Sequence, residues 1–150
     1  MTTELNEGLR TLRRRLLGLH KVLLHALPPE QPPLWPREEL QFACYDPGGF
    51  YAPHEDASPS ASSSPSSRGV ERVLTAIYYP NEGGESEWEG KGGTLRLWPR
   101  EGDYRAETIA PIGDRLVLFI SNRTHEVTPV VDAGGGTRRC AFTQWFSAVV

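Results

Sequence analysis

Leucine recurs at every third or fourth position through the first thirty residues: Leu5, Leu9, Leu12, Leu16, Leu19, Leu23 and Leu27. That spacing is the apolar stripe of an amphipathic helix, with Arg10, Arg13, Arg14 and Lys21 lying off it. Thr3 is the expected N-cap and Pro28-Pro29 the expected stop. The period then changes. "PPEQPPLWP" reads as a stiff extended connector. From Glu39 onward come short apolar or alternating runs, each bounded by glycine, proline or acidic turns: "LQFACY", "VERVLTAIYY", "GTLRLW", "ETIAPI", "RLVLFI", "HEVTPVV" and "RCAFTQWFSAVV". Segments this short, rich in valine, isoleucine, threonine and aromatics, predict a mainly β fold, an antiparallel sandwich or barrel. No ten-residue helical pattern separates them, which argues against a parallel α/β sheet.

Three stretches read as loops: the low-complexity "ASPSASSSPSSRG", the acidic "NEGGESEWEGKGG" and the turn "DAGGGTR". The first reads most simply as a solvated connection, with a lid over the residues before it as the alternative. The expected organisation is a helix and connector over residues 1–37 followed by one domain over 38–150.

Composition narrows this picture. At 150 residues the chain suffices for one domain with a real core. A net charge of -3 gives no electrostatic footprint for nucleic acid, and no apolar run is long enough to span a bilayer. Two cysteines, Cys44 and Cys140, are too few for a disulfide scaffold. They read as free buried thiols in a reducing compartment, cytoplasmic or nuclear. His20, Lys21 and His25 interrupt the leucine stripe, which makes a secretory signal a poor fit. An organelle transit peptide fits the basic amphipathic pattern but not Glu4 and Glu7, so the expectation is a helix packed on the domain.

The chemistry begins at "YAPHED". At a strand end, side chains two apart share a face, so His54 and Asp56 project together while Glu55 points away. A lone pair of this kind reads more simply as a polar strand end, so it needs support from elsewhere in the chain. A third donor is needed. His20 and His25 belong to the helix, which leaves His125 at the start of "HEVTPVV". Two imidazoles and one carboxylate on one face suit a ferrous ion with open positions opposite. On the next strand stands Arg139. Alternation places it on one face with Ala141, Thr143 and Trp145, away from Cys140, Phe142 and Gln144. A buried arginine is costly without an anion, and its planar fork suits a carboxylate. Beside Arg138 it also reads as an ordinary surface charge.

In order, Tyr45, "YAPHED", "LTAIYYPN", "GGTLRLWP", "DRLVLFISNRTHEV" and "RCAFTQWF" resemble the Fe(II)- and 2-oxoglutarate-dependent dioxygenases of the prolyl 4-hydroxylase superfamily. Within it, the pattern is most similar to the oxygen-sensing prolyl hydroxylases that modify hypoxia-inducible factor. The resemblance implies a double-stranded β-helix, or jelly roll, behind the N-terminal helix. It implies His54, Asp56 and His125 as iron ligands. Arg139, helped by the Tyr79 hydroxyl, would hold the far carboxylate of 2-oxoglutarate, with Tyr45, Thr75 and Trp145 about the same co-substrate. Leu95, Val127 and Ala141 match positions lining that pocket, and Tyr51 sits three before His54 as in the oxygen-sensing branch. Arginine at 139, where collagen-type enzymes usually place lysine, favours the same branch. The implied activity is hydroxylation of a prolyl residue in a protein or peptide with O2, releasing succinate and CO2, with ascorbate as a reductant. The sequence departs from the family pattern at Pro80, where leucine is usual, and in the length of the serine-rich tract.

Other readings stay open on the sequence alone: a catalytically weak or inactive binding module of the same fold, and a dioxygenase acting on another substrate class. A nucleic-acid demethylase ranks low, because Thr143, Trp145 and Phe146 stand where a second arginine is typical. A cupin-like metal protein ranks low too, because its first motif usually holds more histidines than His54.

Overall fold

The computed structural model describes residues 2–26, 33–57, 69–99, 105–132 and 134–149. The elements are helix α1 (Thr2–Ala26), strands β1 (Trp35–Tyr45), β2 (Tyr51–His54) and β3 (Val70–Tyr79), the short helix α2 (Glu85–Trp88), and strands β4 (Leu95–Leu97), β5 (Glu107–Ile109), β6 (Arg115–Ile120), β7 (His125–Val127) and β8 (Arg139–Val149). Each of the seven runs read from the sequence contains a strand. "YAPHED" supplies β2 and the turn that follows it.

The strands form two four-stranded sheets, ordered β1-β8-β3-β6 and β2-β7-β4-β5, with every pairing antiparallel. Apart from the β4–β5 hairpin, successive strands pass back and forth between the sheets, which is the jelly-roll arrangement. Alternation divides their residues. On β3, Ile77 and Tyr79 point between the sheets, where they meet Leu95, Leu97, Phe119 and Ala141 in one buried cluster. Ala76, on the other face of β3, joins Phe146, Ala148 and Leu34 in a second cluster covered by Leu19 and Leu23 of α1. Leu16 of α1 is buried as well, so the middle of the leucine stripe, Leu16 to Leu23, packs on the domain, while Leu9 is exposed. Phe146 is fully buried, and removing such a side chain from water contributes roughly 1.5–3 kcal/mol.

Four local features differ from the sequence reading. Helix α1 already includes Thr2, so Thr3 lies inside it rather than capping it. β1 begins at Trp35, within the stretch read as connector. The acidic loop contains α2, which buries Trp88 and lets its indole N–H donate to the Glu82 carbonyl at 3.0 Å. The fourth is a correction: Cys44 and Cys140 are not free thiols but form a disulfide. Strand register explains it, since Cys44 lies directly opposite Cys140 in the β1–β8 ladder. Composition carries no information on that juxtaposition. Pro28-Pro29 and residues 58–68 of the serine-rich tract lie outside the described residues. No described helix is long and apolar enough to cross a membrane.

Candidate metal centre

His54 ends β2 and pairs across the ladder with His125, the first residue of β7. Asp56 lies two residues further on, where the chain turns. The donor atoms of His54, Asp56 and His125 all lie within 4.8 Å of one another. His54 Nε2 is 3.6 Å from Asp56 Oδ1, and His125 Nε2 is 3.6 Å from Asp56 Oδ2. The two imidazole rings sit 4.2 Å apart, centre to centre. Glu55 turns away and accepts from the Thr124 hydroxyl at 3.3 Å, as alternation requires.

Backbone contacts fix the tautomers. His54 Nδ1 lies 2.9 Å from the Ala52 carbonyl, and His125 Nδ1 lies 2.9 Å from the Arg123 carbonyl. A carbonyl only accepts, so each Nδ1 carries the hydrogen and each Nε2 lone pair is available to an ion. Burial pushes the His125 pKa below the ordinary imidazole value, with His54 adding to the effect and the Arg123 carbonyl and Asp56 opposing it. A neutral imidazole is the ligating form. On the carboxylate, the Thr75 hydroxyl donates to Asp56 Oδ2 at 2.8 Å. Two imidazole nitrogens and one oriented carboxylate, all opening on one cavity, fit a ferrous ion with free positions on the cavity side.

That cavity measures about 450 Å³ and lies between the two sheets. His54, Asp56, His125 and Arg139 line it, with Tyr45, Leu95, Val127, Ala141 and Trp145. Tyr51 also lines it, its ring 4.0 Å from that of His54. Arg139 is 3% exposed. Its guanidinium donates to the Tyr79 hydroxyl and to the Gly93 carbonyl, each at 3.3 Å, and lies 5.4 Å from the Tyr45 ring and 5.0 Å from the Tyr79 ring. Gly93 has a φ of +62°, and a Cβ there would meet Arg139 Cγ at 3.1 Å. Glycine therefore brings its carbonyl close under the arginine. Among the described residues no carboxylate lies within ion-pair distance of Arg139. Burial raises the pKa of Tyr79 and of Tyr45, against the pull of Arg139, so both stay protonated. Because the Tyr79 oxygen accepts from Arg139, its own hydrogen is available to a second acceptor.

Two of the expected co-substrate residues lie outside the cavity wall. Tyr79 is fully buried and touches the site through Arg139. Thr75 is fully buried too, with its hydroxyl on Asp56. Two residues with a part in the site were not singled out from the sequence. Arg72 lines the cavity, its guanidinium 4.1 Å over the Trp145 ring and 3.4 Å from Glu39. The β3–β8 ladder shifts register between Arg72 and Leu74, so plain alternation from Tyr79 sends Arg72 to the wrong face. Ser121, 2.9 Å from the Thr75 hydroxyl, carries no sequence signal beyond ending an apolar strand.

The chain was compared with known proteins. It is similar to a prolyl-4-hydroxylase from Pseudomonas putida, at 31% identity and a TM-score of 0.56, over 73% of this chain and 51% of that one. It is also similar to a prolyl hydroxylase from Trichoplax adhaerens, solved with a peptide fragment of the hypoxia inducible factor oxygen degradation domain, at 34% identity and a TM-score of 0.53, over 72% of this chain and 42% of that one. Likeness to a prolyl 4-hydroxylase of Phytophthora capsici extends over 94% of this chain and 45% of that one, at 26% identity and a TM-score of 0.63. The chain thus spans about half the length of these structures. No curated protein matches it significantly. Residues 40–147 match the family model of the 2OG-Fe(II) oxygenase superfamily, a span from within β1 to within β8 that contains all three donors and Arg139. On that match, the chain belongs to the 2OG-Fe(II) oxygenase superfamily.

Proposed function

We propose that this protein is a 2-oxoglutarate-dependent dioxygenase that hydroxylates a prolyl residue in a protein or peptide and releases succinate and CO2. One observation carries the co-substrate part of the reading. A buried arginine with no described acid partner faces the same cavity as the three metal donors. A charge so placed is costly unless an anion completes it. A dicarboxylate that reaches from the metal donors to Arg139 supplies that anion.

The residues divide the work. His54 Nε2, the Asp56 carboxylate and His125 Nε2 would hold Fe(II), with ascorbate as the reductant that keeps it ferrous. Bound iron supplies the activation of O2, one atom of which enters a C–H bond and the other succinate as 2-oxoglutarate loses CO2. Arg139 fixes the far carboxylate through charge-assisted hydrogen bonds. The Tyr79 hydroxyl holds the guanidinium in place. Leu95 and Val127, both buried, exclude water from the reacting end. Trp145 closes the wall beside Arg72.

The prolyl substrate rests on likeness. Two relatives above 30% identity are prolyl hydroxylases, and one was solved with a peptide fragment of the hypoxia inducible factor oxygen degradation domain. Purified chain supplied with Fe(II), 2-oxoglutarate and proline-containing peptides should convert 2-oxoglutarate to succinate and add the mass of one oxygen to proline. Succinate formation with the oxygen on another residue type would overturn the prolyl assignment. No succinate under any condition would overturn the enzyme.

A further inference from the structure

The way Asp56 is held points to two further residues of the site. Its Oδ2 accepts from Thr75 Oγ1 at 2.8 Å, and Thr75 Oγ1 lies 2.9 Å from Ser121 Oγ. The carboxylate only accepts, so the single threonine hydrogen goes to Asp56. The serine hydroxyl must then donate to threonine. Both hydroxyl residues are fully buried. The backbone of Ser121 acts on the same turn. Its carbonyl accepts the amides of Asp56 and Ala57 at 2.9 and 3.0 Å, and its own amide donates to the Val73 carbonyl at 3.1 Å. Val73 and Thr75 belong to β3, in the sheet opposite β2. Ser121 therefore ties the turn carrying the carboxylate to the facing sheet through its amide, carbonyl and side chain together.

We propose that Ser121 and Thr75 are positioning residues that make Asp56 a one-oxygen metal ligand. The inference deepens the reading of the iron site and rests on it. With one lone pair of Oδ2 engaged by the buried Thr75 hydroxyl, Oδ1 is the oxygen with both lone pairs left for an ion. A carboxylate free to rotate would offer both oxygens and occupy a further position on the metal. The pair thus keeps that position open for co-substrate or O2. Neither residue touches the reacting atoms; both act through Asp56. Outer partners of this kind, when removed, typically change metal affinity by about 10–100-fold.

Co(II), titrated into the full chain and followed by its visible absorption, reports affinity and coordination geometry without turnover. Thr75→Val, which keeps shape and removes the donor, should weaken Co(II) binding by about 10–100-fold and alter the band shape. Thr75→Ser should restore both, and Ser121→Ala should give a smaller loss in the same direction. Thr75→Val binding Co(II) with the parent affinity and spectrum, while His54→Ala binds none, would overturn the positioning role and leave the metal site standing. Thr75→Ser failing as badly as Thr75→Val would overturn it as well, since the hydroxyl would then not be the cause. Parent chain that binds no Co(II) would overturn the metal site and this inference together. If circular dichroism shows Thr75→Val unfolded, Ser121→Ala carries the decision: weakened binding supports the role and parent affinity overturns it.

Discussion

Arg139 is the residue on which the proposed chemistry turns. A guanidinium that bonds a carboxylate through charged hydrogen bonds contributes about 1.5–3 kcal/mol per bond. Arg139→Ala should therefore raise the 2-oxoglutarate KM by roughly tenfold to a hundredfold, while Co(II) still binds at His54, Asp56 and His125. Steady-state kinetics against 2-oxoglutarate check this, and an unchanged KM would remove Arg139 from its role. His125 makes a separate prediction through its titration. Its folded pKa lies below the ordinary imidazole value because it is buried. As pH falls through that ordinary value the unfolded chain takes up a proton that the fold refuses, so metal-free stability declines with falling pH. Denaturant midpoints of metal-free protein along a pH series should show the decline, and His125→Gln should flatten it. At this scale the sequence is readable where a residue type is rare. Four histidines, two of them on a helix, left His54 and His125, and the resemblance supplied Arg139 and Tyr79. Thr75 and Ser121 were not readable as partners of Asp56, because common hydroxyl residues at strand positions say nothing about which buried acceptor they meet.

Elements were legible for a different reason. Period-two alternation and the three- and four-residue leucine steps report burial on one face, and burial is what fixes a strand or helix in place. Where that rule is locally broken, the reading loses the face. The ladders shift register between Pro36 and Leu40 on β1, between Tyr51 and His54 on β2, and between Arg72 and Leu74 on β3. An extra residue in one strand flips everything beyond it, which is how Arg72 reached the cavity unannounced. Pairing between distant strands is invisible to any local pattern, and the disulfide is its clearest product here. It joins β1, an edge strand, to β8 across a sequence separation of 96. It lies on the sheet face away from the cavity, beside the stacked Phe42–Phe142 pair. Closing a loop of that length stabilises a fold by about 4–5 kcal/mol on the chain-entropy model. The Cys44→Ser, Cys140→Ser double variant should lose stability of that order in denaturant unfolding. Reductant should destabilise the parent and leave the variant unmoved. A parent insensitive to reductant would contradict this role for the bridge. Helix α1 has its own test: Phe146→Ala opens a cavity under it and should cost about 3–5 kcal/mol, with the metal donors untouched.

For the molecule as a whole, the candidate metal centre lies where the sheets are joined. His54 and His125 come from paired strands of one sheet, and Asp56 is tethered to the other through Thr75 and Ser121. An ion bound by all three would brace both sheets, and it would do so only in the folded chain, because residues this far apart in sequence do not converge when unfolded. Binding that is exclusive to the native state adds about 2.7 kcal/mol of stability at a hundredfold excess over Kd. For a chain of this size that raises Tm by roughly 5–10 °C. Thermal unfolding with Fe(II) under anaerobic conditions, or with Co(II), should show that shift, and a chelator should reverse it. Adding 2-oxoglutarate to the metal-loaded protein should raise Tm again, because the diacid joins the ion in β2 and β7 to Arg139 at the start of β8. In Arg139→Ala the first step should survive and the second vanish; in His54→Ala both should vanish, since the diacid then lacks its metal anchor. A second step that persists without metal would place 2-oxoglutarate elsewhere in the molecule, whatever the kinetics showed.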